Sequence, residues 1–147
     1  MKIALGSDHA GAALKKVIKE HLENKGNYCI DYGANDECRV DYPDVVPPVV
    51  EAIREMNADL GILICGTGIG MSIAANKHKQ ISAALCGDTY SAAFARAHNN
   101  ANIITLGSRV LGEGLALAIV DTFLESTFEG GRHSIRVDKI RKFENNK

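Results

Sequence analysis

Short apolar runs alternate with helix-like segments along the whole chain, and this alternation restricts the possible folds more than any other feature. The runs are KIALGSD, YCIDYG, LGILICG, ISAALCG and NIITLGS. After the first run, apolar residues from Leu14 to Leu22 recur with the spacing of an amphipathic helix. The third run is almost continuously apolar, which is typical of a strand buried on both faces of a parallel sheet. The pattern predicts an α/β fold: a three-layer α/β/α sandwich with a Rossmann-like sheet of five parallel strands.

The chain of 147 residues shows no linker or change in composition, so we expect a single domain over residues 1–147. Asp88 is placed to cap the helix that follows the fourth run. Pro43 suits the start of a helix, whose first turns Pro47 and Pro48 should disturb. Residues 34–42 read as a polar turn. A last helix is predicted at about 131–145, packing over the functional site or over a partner subunit.

Bulk composition excludes several classes of protein. The formal charge of −1 leaves no basic excess for binding nucleic acid. No apolar run approaches the roughly 18 residues that a membrane span needs, and the N-terminal residues do not resemble a signal peptide. The cysteines, Cys29, Cys38, Cys65 and Cys86, form no CxxC pair and no zinc-like pattern. Free thiols in the cytoplasm, with no bound metal, are therefore expected.

Ligands of such sheets bind beyond the carboxyl ends of the strands, so the strand-to-helix junctions are the candidate sites. The third junction, CGTGIG, combines a thiol with several glycines whose N–H groups can face an anion. It lacks the third glycine of a dinucleotide fingerprint, because Met71 stands there, and no G-K-[ST] follows. The glycines alternatively serve only a tight packing turn.

Each polar residue at these junctions has a functional and a structural interpretation. Cys65, facing a helix N-terminus, suits a nucleophile or base, or else is a buried packing thiol. Thr67 offers a hydroxyl or closes a turn. Asp8 either caps the first helix or contributes to the site, and His9 suits a phosphate donor or proton carrier. His98 either complements a helix dipole or acts in the site.

Basic residues near the end of the chain form a further candidate group. Arg132 and Arg136 are four residues apart and project from one helix face, where two guanidinium groups can bind a phosphate. Arg109, after the fifth run, can join them. The alternative is an ordinary solvated helix face.

Four motifs occur together and in order: SDHAG, CGTGIGMSIAANK, AHNNANIITLGSR and EGGRHSIRV. In combination they resemble the type B ribose-5-phosphate isomerases, a family that also includes allose- and galactose-6-phosphate isomerases, from about Lys2 to Arg141. The resemblance implies an aldose–ketose isomerase of the pentose phosphate pathway that interconverts ribose 5-phosphate and ribulose 5-phosphate through an enediolate. It also implies a homodimer or tetramer with shared sites, a sugar-phosphate ligand, and no metal or organic cofactor.

The same resemblance implies roles for individual residues. Cys65 is the base that moves a proton between C1 and C2, because the stretch SIAANK lacks the glutamate used by other members. Thr67 lies beside the reacting carbons, and His98 opens the sugar ring with help from Asp8. The anion hole is formed by the amides of Gly66, Gly68, Ile69 and Gly70. The phosphate and hydroxyl contacts are His9, Tyr42, Asn99, Arg109, Arg132 and Arg136.

Three alternatives stay open. A 6-phosphohexose such as allose or galactose 6-phosphate is a possible substrate with the same chemistry. A non-catalytic nucleotide- or sugar-phosphate-binding module would use the same glycines and arginines, with Cys65 as packing. A redox protein pairing Cys65 with Cys86 is the least favoured, because no CxxC is present.

Overall fold

The computed structural model describes residues 1–35 and 39–146. Cys38 and part of the predicted 34–42 turn lie outside the described residues. The elements are β1 Lys2–Ser7, α1 Ala12–Asn24, β2 Tyr28–Asp31, α2 Tyr42–Arg54, β3 Leu60–Cys65, α3 Ile69–Ala75, β4 Ala83–Leu85, α4 Thr89–Ala97, β5 Ile103–Gly107, α5 Glu113–Glu125 and α6 Arg132–Arg141, followed by a 3₁₀ turn at Lys142–Asn146.

The five strands form one parallel sheet in the order β2-β1-β3-β5-β4, which confirms the predicted fold class. β3 lies at the centre with every residue buried, as its continuous apolar run indicates. Its register aligns Ile64 with Ser7 of β1 and Cys65 with Gly107 of β5. The carboxyl ends of these three strands therefore lie side by side.

Side chains alternate between the two faces of the sheet and bury two separate apolar clusters. Ile62 and Ile64 of β3 pack with α1, α4 and α5 on one face. Leu63 and Cys65 pack with α2 and α3 on the other. The sequence of strand and helix therefore produces the predicted three layers, and it places the Cys65 side chain on the α2–α3 side.

Helix α2 departs from the prediction, because it runs without interruption through Pro47 and Pro48. The missing proline N–H groups cost it two hydrogen bonds to carbonyls of its own first turn. Four valines on its inner face are at most 4% exposed, and their burial outweighs that loss. The valines are Val45, Val46, Val49 and Val50.

One further boundary differs from the sequence prediction. β4 is only Ala83–Leu85, shorter than the apolar run ISAALCG. Asp88 caps α4 as expected, since its carboxylate accepts the Ser91 N–H at 2.7 Å. In the part of the chain that the structure describes, no helix is both long and apolar enough to cross a membrane.

Candidate active site

The carboxyl ends of β1 and β3 form the crevice in which the candidate site lies. From β1 the chain turns toward β2 on one side, and from β3 it leaves toward β4 on the other, so the strand order reverses between them. The Asp8 N–H donates to the Ile64 carbonyl oxygen at 3.2 Å, which continues the pairing past the end of β1. Asp8 and His9 are thereby held beside the start of the Cys65 loop.

Asp8 is buried, whereas His9 is exposed at the mouth of the crevice. The sequence offered Asp8 as the cap of α1, and its Oδ1 accepts the Gly11 N–H at 3.0 Å just before that helix. The residue at the N-cap position is Gly11, and a Cβ added there would lie 2.5 Å from the Ile64 carbonyl oxygen. Glycine thus allows α1 to begin directly against β3, with Asp8 between them.

Residues 66–70, named here the glycine loop, connect Cys65 to α3. Cys65 is 5% exposed, and its Sγ accepts the N–H of Gly68 at 3.1 Å. Gly68 has φ +78°, and a Cβ there would lie 2.9 Å from the Leu106 carbonyl carbon, so no other residue fits. The fold therefore directs a backbone N–H donor at the sulfur.

The amides predicted to form an anion hole fall into two groups. The Gly68 N–H already donates to Cys65 Sγ, and the Ile69 N–H donates to Thr67 Oγ1 at 3.4 Å. Those of Gly66 and Gly70 have no acceptor among the described residues. The loop thus combines two unengaged donors with two that support the neighbouring side chains.

Two predicted residues from distant segments also lie against the glycine loop. The Tyr42 ring packs directly over Gly70, where an added Cβ would lie 2.5 Å from its Cζ. The Arg109 N–H donates to the Gly66 carbonyl at 3.0 Å, and its guanidinium lies alongside the same glycine. One chain therefore brings together Asp8, His9, Tyr42, Cys65, the glycine loop with Thr67, and Arg109.

The remaining predicted residues lie elsewhere on the molecule. His98 ends α4 and precedes the first residue of β5 by five positions, so it lies at the amino end of the sheet. Cys65 pairs with Gly107 at the carboxyl end of the same strand. The five residues of β5 extend about 16 Å, so the two side chains of one chain do not meet. Asn99 directly follows His98 after the end of α4, and Arg132 and Arg136 lie on α6.

His98 forms a compact group with Glu129 and His133, two residues that the sequence analysis did not identify. The His98 and His133 rings stack at 4.0 Å with an interplanar angle of 9°. Glu129 Oε2 lies 3.7 Å from His98 Nε2 and 3.5 Å from His133 Nε2. Both residues stand in the motif EGGRHSIRV, in which the sequence analysis assigned roles only to Arg132 and Arg136.

The sequence predicts no bound metal, yet the ligand-type atoms of this group lie within 4.8 Å of one another. The two ring planes are nearly parallel, however, and an imidazole nitrogen binds a cation in the plane of its own ring. A single cation could not lie in both planes. The stacked arrangement therefore does not favour metal coordination.

Burial lowers the pKa of His133, and the neighbouring His98, Arg132 and Arg136 lower it further, while Glu129 opposes them.

Two other thiols contrast with Cys65 in their surroundings. Burial raises the pKa of Cys29 and of Cys86 to about 11. Neither therefore supplies a thiolate at neutral pH.

Comparison with known proteins identifies the family. Residues 3–140 match the model of the family described as Ribose/Galactose Isomerase. The chain is 48% identical over 143 residues to ribose-5-phosphate isomerase B of Escherichia coli, covering 97% of this chain and 96% of that protein.

Two solved structures have the same fold over nearly their whole length. Ribose-5-phosphate isomerase B of Clostridium thermocellum superposes with a TM-score of 0.98 at 51% identity, covering 99% of each chain. The Mycoplasma genitalium enzyme with bound ribulose-5-phosphate superposes with a TM-score of 0.93 at 45% identity, covering 99% of this chain and 97% of that one. These matches, together with the site at β1 and β3, show that the chain belongs to the ribose/galactose isomerase family.

Proposed function

We propose that this chain interconverts ribose 5-phosphate and ribulose 5-phosphate, with Cys65 as the base. The observation that carries the proposal is the Gly68 N–H donating to Cys65 Sγ at the carboxyl end of the central strand. The names of the relatives in Escherichia coli and Clostridium thermocellum, and the ribulose-5-phosphate bound to the Mycoplasma genitalium enzyme, support the choice of substrate.

The chemistry is a proton transfer between neighbouring carbons. The Cys65 thiolate takes the C2 proton of the open-chain aldose, the proton of the O2 hydroxyl passes to O1, and the thiol returns its proton to C1 to give the ketose. The unengaged amides of Gly66 and Gly70 stabilise the negative charge on the enediolate oxygen, and the exposed Thr67 hydroxyl lies beside the reacting carbons. Gly68 and Ile69 contribute by holding the sulfur and the hydroxyl in place.

Substrate binding divides between two chains in this proposal. His9 and Arg109 hold the phosphate from the Cys65 side, and Tyr42 borders the sugar. Asn99, His98, Arg132 and Arg136 come from a second copy, because they lie at the other end of the sheet in their own chain. The site is therefore complete in a homodimer or a larger assembly of dimers.

Exposed apolar residues near His98 support the second copy. Tyr90 is 74% exposed and Ile140 53% exposed, beside a hollow of about 500 Å³ along the edge strand β4 that Asn99 also lines. An unpaired edge with apolar side chains of this size is a natural contact surface. A thiol base also requires a reducing compartment, so the cytoplasm is the proposed location.

Equilibration of ribose 5-phosphate with ribulose 5-phosphate by the purified protein and its Cys65→Ala variant tests the proposal. Loss of the base should lower kcat about 10³-fold or more. Cys29→Ala is the matched control, because that thiol is buried on the edge strand β2, away from the crevice. Full activity in Cys65→Ala would exclude the assigned base.

Activity on allose or galactose 6-phosphate alone would keep the chemistry and change the substrate. Ligand binding measured by calorimetry, without turnover of any of these sugars, would indicate a binding module instead.

A further inference from the structure

His98 is held on both sides by aromatic rings. Its imidazole lies 4.3 Å from the Phe94 ring, which is one turn earlier on α4, and it stacks on His133 of α6 at 4.0 Å. A histidine at the end of a helix would otherwise choose among several side-chain rotamers. Contacts from two separate elements leave this imidazole one orientation.

Glu129 adds a charge to the edge of this stack. Its carboxylate lies within 4 Å of Nε2 of both imidazoles. Its backbone N–H donates to the carbonyl of Ala97, the last residue of α4, at 3.0 Å. The segment that carries Glu129 is therefore fastened to the end of the helix that carries His98.

The charged groups around the stack come from three parts of the chain: His98 at the C-terminal end of α4, Glu129 before α6, and Arg132, His133 and Arg136 on α6. Two parallel imidazoles in contact cannot both carry a proton without strong repulsion. The surroundings lower the pKa of His133, so His133 is the neutral member of the pair at pH 7. The same carboxylate lies 3.7 Å from Nε2 of the partner ring, His98.

We propose that Glu129 and His133 are positioning residues for His98, which they hold in one orientation with a carboxylate beside Nε2 so that its imidazolium can open the sugar ring. This role rests on the proposed function. In that step the C1–O4 bond of the furanose breaks, the His98 imidazolium gives a proton to O4, and the O1 hydroxyl gives its proton to the Asp8 carboxylate.

A titration of the histidine ring signals by NMR tests the contact without measuring activity. Glu129→Gln should lower the pKa of His133, because Glu129 is the neighbour that favours the protonated ring. Glu125→Gln is the control, since Glu125 is an exposed glutamate whose ion pair is with Lys25. An unchanged titration in Glu129→Gln would refute the contact.

Two kinetic measurements then separate positioning from a general structural effect. Loss of a C1 label from ribulose 5-phosphate to solvent requires the Cys65 base but no ring opening, whereas net conversion of ribose 5-phosphate begins with the closed ring. Glu129→Gln and His133→Ala should lower kcat for net conversion about tenfold and leave label exchange unchanged. Glu129→Asp and His133→Phe should recover most of the loss, because they restore the carboxylate and the stack.

An equal fall in exchange and conversion, or no fall in either, would contradict the positioning role. A wild-type protein inactive in both assays would instead refute the proposed function, and with it the ring-opening role of His98. The NMR titration would still decide whether Glu129 controls the histidine pair.

Discussion

Mixing two inactive variants tests whether each site is assembled from two chains. Within one chain, Cys65 and His98 lie at opposite ends of β5, about 16 Å apart along the strand. Reacting groups must approach to about 3.5 Å, so a site within one chain cannot use both. We therefore expect Cys65→Ala and His98→Asn each to be strongly impaired alone and to complement each other when co-expressed.

The expected recovery follows from the two-fold symmetry of a dimer. A heterodimer of the two variants contains one site with both substitutions and one site with neither. Random pairing makes about half of the dimers heterodimers, so the co-expressed mixture should show about a quarter of wild-type kcat. Heterodimers isolated through two different tags should show about half. The assay is initial-rate conversion of ribose 5-phosphate at matched total protein.

Activity in the mixture no higher than the mean of the separate variants would refute the shared site. A mixture of Cys65→Ala with Cys65→Ser is the matched control, because both variants damage the same half of every site. It should show no recovery.

Three further predictions concern the glycine loop, a buried ion pair and pH. Gly107→Ala places a Cβ 2.8 Å from the backbone of the glycine loop, which should lower the free energy of unfolding by about 2 kcal/mol and kcat/KM about 10²-fold. Gly112→Ala is the control, because its Cβ would meet no atom within 4 Å and should change neither stability nor activity. Equal activity of the two variants would refute this prediction. Lys15→Met leaves the Asp31 carboxylate without the buried ammonium that lies 2.5 Å from it. The free energy of unfolding should fall by roughly 3 kcal/mol, which corresponds to a fall in Tm of about 9 °C. An unchanged Tm would show that the ion pair does not stabilise the fold. Because the pKa of His133 is lowered in the folded protein, His133 of the unfolded state binds a proton first as pH falls below 6.5. The Tm of the wild-type protein should therefore decline relative to that of His133→Phe between pH 7 and pH 5. Parallel curves of Tm against pH for the two proteins would contradict the prediction.

Local sequence signals predicted the elements and the half of the site that follows β1, β3 and β5. Apolar periodicity indicates strands and helices because it reports burial, and parallel strands place their carboxyl ends at one edge. The strand-to-helix junctions that carry Asp8, Cys65 and Arg109 therefore lie side by side, as the sequence predicts. The glycine loop was recognisable because its backbone must turn where a side chain would clash.

The boundaries that were predicted less well depend on packing. The Pro47-Pro48 pair argued against a continuous α2, yet four buried valines hold the helix through it. The run ISAALCG reads as a full strand, but β4 pairs with β5 over only three residues. Such outcomes reflect which neighbours are available, and local propensity does not contain that information.

The sequence by itself determined the order of strands and helices, the parallel sheet, and the thiol beside a glycine loop at the end of its third strand. Only the tertiary structure decided that Gly68 donates to Cys65 Sγ, that His98 lies at the other end of the sheet, and that Glu129 and His133 join it. The physical reason is range. Burial patterns and turns are set by residues near in sequence, whereas contacts between α4, the segment before α6 and α6 depend on how distant segments pack.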